Sequence, residues 1–541
     1  MAGHTVSRNA VERKMAELNL TWLSVSENES KRVFIWRAPA DAIRLVQAFF
    51  ALQEAGESEF SLPDMFVSTR EPYDTSYNFS RTVAEQFVER AARTELPTPH
   101  WDPTTQLPCW LPGDVASLLD DFARYVGDGF RYLVMLLQPS SIISKRSFND
   151  FVGALCALHD DTRARFALID TQEDPAWQWL ADRYPEQVQI ISIDASQGEL
   201  ARQIINETPT TDGSTMLRFR QLMTDTFLAL KSGDAPQVIQ TGQKALDIAT
   251  QLKIPEQQVV VLSLMAGAWL KAGEPHKAIE RYINVQSAGE QSAPESRHHL
   301  VTQGLMAEGN AWYMAKDPFQ ASERYARAAL RARQIPSLTL EMEGHRMAGF
   351  TLLEHSRWRS AAADHYFSAL TAALAMNEEE RSSCNLMQVF RDLLNWREPG
   401  LTTRCNQLAE TWLSEQQQLI AHTERQIAAA RPDEIRETVA RCDAELVIAL
   451  EVLFEKCISQ REALLAQGAK VWRELLSLAR CYSYPFWCPG TDFSHPTEQP
   501  VERWGCRVLT APASPEPAPQ TVRTLFRQIL TDKEDESDAQ Y

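Results

Sequence analysis

The feature that most limits what this chain can become is an internal repeat. Leu270-Lys271-Ala272-Gly273-Glu274 echoes Leu230-Lys231-Ser232-Gly233-Asp234 forty residues earlier, and Ala268-Trp269 returns as Ala311-Trp312. Tyr282, Tyr325 and Tyr366 stand 43 and 41 residues apart, each with an alanine four residues before it: Ala278, Ala321 and Ala362. Small residues recur three after the aromatic at Ala328 and Ala369, while Val285 interrupts that column. A period of this length marks a unit that cannot bury its apolar face alone and must stack on copies of itself. The columns identify the unit as a helix hairpin. Alanine lets two helices approach closely, and a large residue one turn away fills the neighbour's groove. Gly273 falls where the first helix must stop and turn.

In these residues the chain resembles the tetratricopeptide-repeat family. The best match is Gly309-Asn310-Ala311-Trp312-Tyr313, followed by Asp317, Ala321, Tyr325 and Ala328-Ala329-Leu330. The resemblance covers about residues 214–385 in four hairpins. The period of 40–43 exceeds the family's usual 34 and implies longer helices or loops. Val238 and Gly242 make the first repeat irregular. The resemblance implies a curved solenoid whose inner face, lined by the first helix of each hairpin, holds a peptide or a partner helix. Asn310, next to Gly309, falls where some family members grip a peptide carboxylate; one repeat earlier the aligned residue is Gly267. Asn310, Gly309 and Gly267 are therefore the expected partner-binding positions of the array. Trp269 and Trp312 are expected in the core, and His345, His355 and His365 lack a metal-ligand spacing.

The first 200 residues have a different rhythm. Apolar runs at Val33–Trp36, Met65–Ser68, Tyr132–Gln138, Arg165–Ile169 and Val188–Ile193 alternate with amphipathic segments near 40–55, 79–94, 113–127, 146–158 and 174–184. Strands apolar on both faces and separated by helices predict a parallel sheet with right-handed crossovers covering both sides. Such sheets often carry a nucleotide at the carboxyl ends of their strands. The turn Trp36-Arg37-Ala38-Pro39-Ala40-Asp41 has neither the glycines nor the lysine of a phosphate-cradling loop, and no such loop motif occurs elsewhere. This part resembles a nucleotide-hydrolase-like α/β scaffold in outline only, without the phosphate loop. Asp170 reads as the polar end of a buried strand, Arg37 as a charge at a turn, and Cys156 with His159 as a helix end and not a nucleophile pair.

Beyond the repeats, Leu408, Trp412, Leu419, Ile420 and Ile427 mark one amphipathic helix. Pro432 and its acidic neighbours start another, in which Ile435, Val439, Cys442, Leu446, Leu450, Leu453 and Cys457 step by three and four. This predicts a coiled-coil-like hairpin over 401–480 that caps the solenoid or pairs with a second copy. From Cys481 the composition turns aromatic and proline-rich. Cys481, Cys488, His495 and Cys506 lack the short paired spacing of structural zinc. A proline-rich linker, Pro512 to Pro519, then presents Val522, Leu525, Phe526, Ile529 and Leu530 at helical spacing before an acidic tail. Leu525, Phe526 and Ile529 are read as partner-binding residues of a docking helix; folding back onto the chain's own body is the equal alternative.

The expected fold class is thus α/β plus all-α. It comprises a parallel-sheet domain over 1–210, a repeat solenoid over 214–395, the hairpin over 401–480, and a loop, linker and acidic tail over 481–541. With 54 basic and 72 acidic residues the net charge is −18, which disfavours nucleic acid and anionic membranes as partners. The first twenty residues have no apolar leader, and nine cysteines without a C-x-x-C pair suit a reducing compartment, so a cytoplasmic location is expected. The expected function is a non-enzymatic interaction scaffold, adaptor or chaperone without cofactor or metal, for example an adaptor loading a bacterial effector or toxin. Its partner would be a protein with a basic or amphipathic segment. The alternative is a nucleotide-responsive regulator whose degenerate α/β domain controls the repeat.

Overall fold

A computed structural model describes residues 10–56, 61–93, 101–157, 161–193, 214–335, 337–483, 486–493 and 519–531. The chain divides into two compact units: Met1–Pro209 with Ser414–Leu450, and Thr210–Leu413 with Glu451–Tyr541.

The first unit is built on five parallel strands: β1 (Val33–Ala38), β2 (Met65–Thr69), β3 (Leu133–Leu137), β4 (Ala164–Thr171) and β5 (Val188–Ser192), in the order β2-β3-β4-β1-β5. Alternate residues of β1 serve the two faces, which is why the run is apolar throughout. Phe34 and Trp36 pack beneath α1 (Ala10–Ser26) and α2 (Ile43–Ala55). Val33 and Ile35 pack beneath α3 (Ser76–Arg93), α4 (Pro112–Val126) and α5 (Lys145–Cys156), joined by Leu180 of the short α6 (Gln178–Arg183). The strands fall where the alternation predicts them. Helix α1 was not predicted. Its Met15, Leu18 and Trp22 are buried on the sheet, and Trp22 Nε1 donates to Asp64 at 2.7 Å.

The second unit carries four hairpins: α7 (Ser214–Ser232) with α8 (Ala235–Gln251), α9 (Pro255–Lys271) with α10 (Pro275–Glu290), α11 (Pro294–Met314) with α12 (Pro318–Ala332), and α13 (Leu338–Leu352) with α14 (Arg359–Leu374). Successive helices pack in chain order, giving a solenoid-like arrangement. The residues of the predicted columns, Ala278, Ala321, Ala362, Tyr282, Tyr325 and Tyr366, are all buried. Proline opens α9, α10, α11 and α12, where a missing N–H removes no intrahelical bond. Gly233 (φ +80°) and Gly273 (φ +76°) turn the first two hairpins in the left-handed region, and Lys316 (φ +64°) makes the same turn in the third.

Three short helices follow the array or close it: α15 (Glu378–Ser383), α16 (Leu386–Arg397) and, after the hairpin, α19 (Lys470–Cys481). The hairpin helices α17 (Pro399–Ala428) and α18 (Ile435–Leu465) do not form a domain of their own over 401–480. Residues Ser414–Leu450 belong to the sheet-containing unit. There Ile427, Val439 and Cys442 bury against Tyr77 with Trp110 and Leu111 alongside. The start of the apolar seam, Ile435, Val439 and Cys442, thus finds its partners on α3 and the loop before α4. The C-terminal helix α20 (Pro519–Thr531) packs on α14, α16 and α19 of the second unit. Among the described residues no helix is long and apolar enough to cross a membrane.

Candidate partner-binding surfaces

Three places were singled out by the sequence: the carboxyl edge of the sheet, the first helices of the repeats, and the C-terminal helix.

At the carboxyl edge, Arg37 ends β1 directly beside Asp170 at the end of β4. Arg37 donates to Asp170 Oδ2 through Nε at 3.1 Å and an Nη at 3.0 Å. The other oxygen, Oδ1, accepts the backbone N–H groups of Thr171 and Ala176. Both oxygens of Asp170 are therefore engaged within the chain. The N–H of Ala40, in the turn after β1 where a phosphate loop would lie, donates to the Glu173 carboxylate at 2.9 Å. A chain carboxylate occupies the place an anion would take.

The same device recurs at β2 and β3. Glu424, from α17, accepts the Ser76 N–H at the start of α3 at 2.7 Å and the hydroxyl of Ser147 in the first turn of α5. Ser147 Oγ is in turn 2.7 Å from Tyr73 Oη. One carboxylate thus answers the N-terminus of α3 and a hydroxyl on α5, whose own N-terminus is capped by Ser144. Burial nevertheless dominates and raises the Glu424 pKa, against the lowering effect of its hydrogen bonds. Beside it lies a cavity of about 220 Å³ with Trp110, Phe151 and Ile427 among its walls. Sequence reasoning missed this cluster; residues 76 and 424 carry no local signal of each other.

Cys156 is buried, and burial pushes its thiol up to about 12, the opposite of an activated nucleophile. His159 lies outside the described residues, as do His495 and Cys506. Among the described residues no group of three or more histidines, cysteines or acids is placed to hold a metal ion. Cys488 is buried beside Cys405. A hydrogen bond from Cys405 and the Arg461 guanidinium, 3.7 Å away, hold its pKa below the usual thiol range against burial.

On the repeats, the predicted residues separate into two kinds. Gly309 is buried, and a β-carbon there would sit 3.0 Å from the ring of Tyr325, so this glycine serves close packing between α11 and α12. Asn310 is exposed and Gly267 is half-exposed. They belong to a solvent-facing stripe that repeats from helix to helix. On α7 it includes Arg220, Phe227 and Lys231; on α9, Val260, Gly267 and Lys271; on α11, Gln303, Asn310 and Met314. Each set steps by seven and four, so its members share one helix face. The sets are related by the 40- and 43-residue offsets of the repeat. Phe227 (57 %), Val260 (43 %) and Met314 (43 %) are large apolar residues left in water. Lys271 Nζ reaches back to the Leu230 and Lys231 carbonyls, tying the ends of α7 and α9 together. Trp269 and Trp312, expected in the core, are only half-buried at its edge, with Lys277 over Trp269 and Glu308 accepting from Trp312 Nε1. Glu308 itself is buried and also accepts from Arg324 and Gln286, a knot of polar bonds joining α10, α11 and α12.

The C-terminal helix is folded back. Leu525, Phe526 and Ile529 are buried in one core with Val389, Phe390 and Leu394 of α16, so in this state they contact their own chain. The periodicity identified the helix and its apolar face; it carried no information about which groove receives it.

No protein-family model and no curated protein sequence matches this chain.

Proposed function

We propose that the protein is a non-enzymatic interaction scaffold, an adaptor or chaperone of the cytosol, whose repeat array holds a segment of a partner protein. The observation that carries this reading is the stripe on α7, α9 and α11. It sets three exposed apolar side chains, an asparagine and three cations on one face, in register with the repeat. Each of the three helices leaves one large apolar side chain of this face in water, at a different step of the stripe, and such side chains offer a partner separate anchor points. The cations on α7 and α9 suit a partner segment that combines apolar residues with acids, or one ending in a carboxylate near Asn310. The basic partner expected from overall charge is less well matched by this face.

A nucleotide-responsive regulator is supported less by the geometry, because Glu173 and Asp170 already engage the donors at the end of β1 and β4. Thermal-shift titration tests the choice. Millimolar ATP or GTP leaves the melting temperature unchanged on the scaffold reading, and a saturable rise at sub-millimolar nucleotide favours the regulator.

A further inference from the structure

Residues 486–493 form neither helix nor strand and lie on α17 and α18 within the second unit. Asn406 of α17 accepts the Thr491 N–H at 2.7 Å, and the Phe493 ring stacks on Trp412 with centroids 5.7 Å apart. Arg461 of α18 is fully buried and donates to the Phe486 carbonyl at 2.6 Å and to Asp492 at 2.7 Å. Gly490 permits the close approach, since a β-carbon there would sit 2.8 Å from the Cys405 β-carbon. This lays Cys488 against Cys405. Both are buried, the Cys405 thiol donates a hydrogen bond to the Cys488 sulfur, and the Arg461 guanidinium stands 3.7 Å from that sulfur.

Buried thiols are ordinarily inert, and Cys109 and Cys156 are of that kind, because burial raises the pKa of both. Cys488 differs in having a second thiol and a cation in contact with it, and these oppose the effect of burial. We propose that Cys405 and Cys488 are a redox-responsive dithiol, which hydrogen peroxide converts to a disulfide stapling residues 486–493 to α17 and which thiol reductants reopen. Cys488, as a thiolate beside Arg461, attacks one peroxide oxygen. An S–O bond forms, the O–O bond breaks, and the departing hydroxide takes up the proton that Cys488 released, giving water. The Cys405 sulfur then attacks the sulfenic sulfur. An S–S bond forms, the S–O bond breaks, and the hydroxyl leaves with the Cys405 proton as a second water. Two thiols together lose two electrons, and one peroxide is reduced to two waters. Sulfurs already in hydrogen-bond contact need only a small shift to reach the ~2.05 Å of a disulfide. Peroxide is little larger than water, and it reaches the pair by local opening of a segment held through side chains such as Arg461 and Arg480. Because Arg461 stabilises the reduced form, the disulfide is readily reduced again, as a switch requires and a permanent crosslink does not. The pair stands whether or not the stripe on α7, α9 and α11 holds a polypeptide.

The test exposes the full-length protein to hydrogen peroxide, blocks the remaining thiols with iodoacetamide and reads the digest by mass spectrometry. The expected result is a peptide pair joined through Cys405 and Cys488, formed at least tenfold faster than Cys109 or Cys156 is oxidised in the same sample, and lost on incubation with millimolar glutathione. Cys405→Ser should halt the reaction at a Cys488 sulfenic acid that dimedone traps, and Cys488→Ser should leave Cys405 a free thiol. Absence of the linked pair from the wild-type protein at peroxide concentrations that oxidise the half-buried Cys481 would overturn the proposal. So would a link that forms no faster than Cys109 and Cys156 are oxidised, which is the behaviour of two ordinary buried thiols.

Discussion

Gly344 of α13 lies so close to Ala329 of α12 that a β-carbon on the glycine would sit 2.9 Å from both the Ala329 β-carbon and its backbone nitrogen. The helices of successive hairpins therefore meet backbone to backbone, which only small residues permit. Gly344→Ala should destabilise the protein by about 1–3 kcal/mol despite the better helix propensity of alanine. Gly267→Ala, at a helical glycine with nothing within 4 Å of its would-be β-carbon, should instead stabilise by up to about 1 kcal/mol. Urea unfolding of the pair checks both signs at once.

Lys316 holds the left-handed turn that Gly233 and Gly273 hold in the earlier hairpins. A side chain in that region costs about 1 kcal/mol relative to glycine. Lys316→Gly should raise stability by about that amount, while Gly273→Lys should lower it by a similar amount. Calorimetric melting of the two variants is sufficient.

Glu424 answers the N-terminus of α3 and the Ser147 hydroxyl at the cost of a half-buried charge. Glu424→Gln keeps an oxygen to accept from Ser76 and Ser147 and removes the charge, so stability at pH 7 should be unchanged or higher. Glu424→Ala leaves those donors without a partner and should cost about 1–3 kcal/mol. The raised pKa fixes the pH dependence. A carboxyl raised in the folded state favours folding at low pH, and that contribution disappears as pH rises through the folded-state pKa. Relative to wild type, Glu424→Gln should therefore gain stability as pH increases from 4 towards 7.

His345 on α13 and His365 on α14 stack with centroids 5.7 Å apart, and neither ring nitrogen of His345 has a partner. Burial first, then His365 and Arg333, push the His345 pKa from 6.5 down to about 4. Between those values the unfolded chain binds a proton that the folded chain does not. Stability is complete above about pH 6.5 and falls as pH drops towards 4, by up to about 3 kcal/mol. His345→Leu should flatten that decline in a pH series of chemical denaturation. An unchanged acid slope would show that other groups set it.

What the sequence made legible follows from the range of each interaction. The strands were visible because both faces of the sheet are covered, so each run is apolar without alternation. The hairpins were visible because the tyrosine, alanine and turn positions recur at one offset. The glycines facing those columns, Gly309 against Tyr325 and Gly349 against Tyr366, stand 40 apart at the period of the array, but the period does not announce their packing role: the sequence places Gly309 among the expected partner-binding positions. Helix α1 went unseen because the buried Ala10, Met15, Leu18 and Trp22 are interleaved with exposed apolar Val11 and Leu20, which blur the helical period. The Glu424 cluster and the division of the hairpin between two units join residues hundreds of positions apart, and no local rule connects them. The seat of α20 was hidden for a related reason: an apolar helix face states that it needs a groove and not which one.

The central claim is that the stripe through Phe227, Gly267 and Asn310 is where a partner polypeptide lies. Site-specific photocrosslinking in the native cell tests it most directly. A benzophenone amino acid is placed in turn at Phe227, Val260 and Asn310, and at Glu323 of α12 as a control on a second helix. The account predicts one shared crosslinked polypeptide from the three stripe positions, absent from the control and lost when Met314→Asp is added. Crosslinks that arise equally from the control position, or a different product from each stripe position, would contradict it.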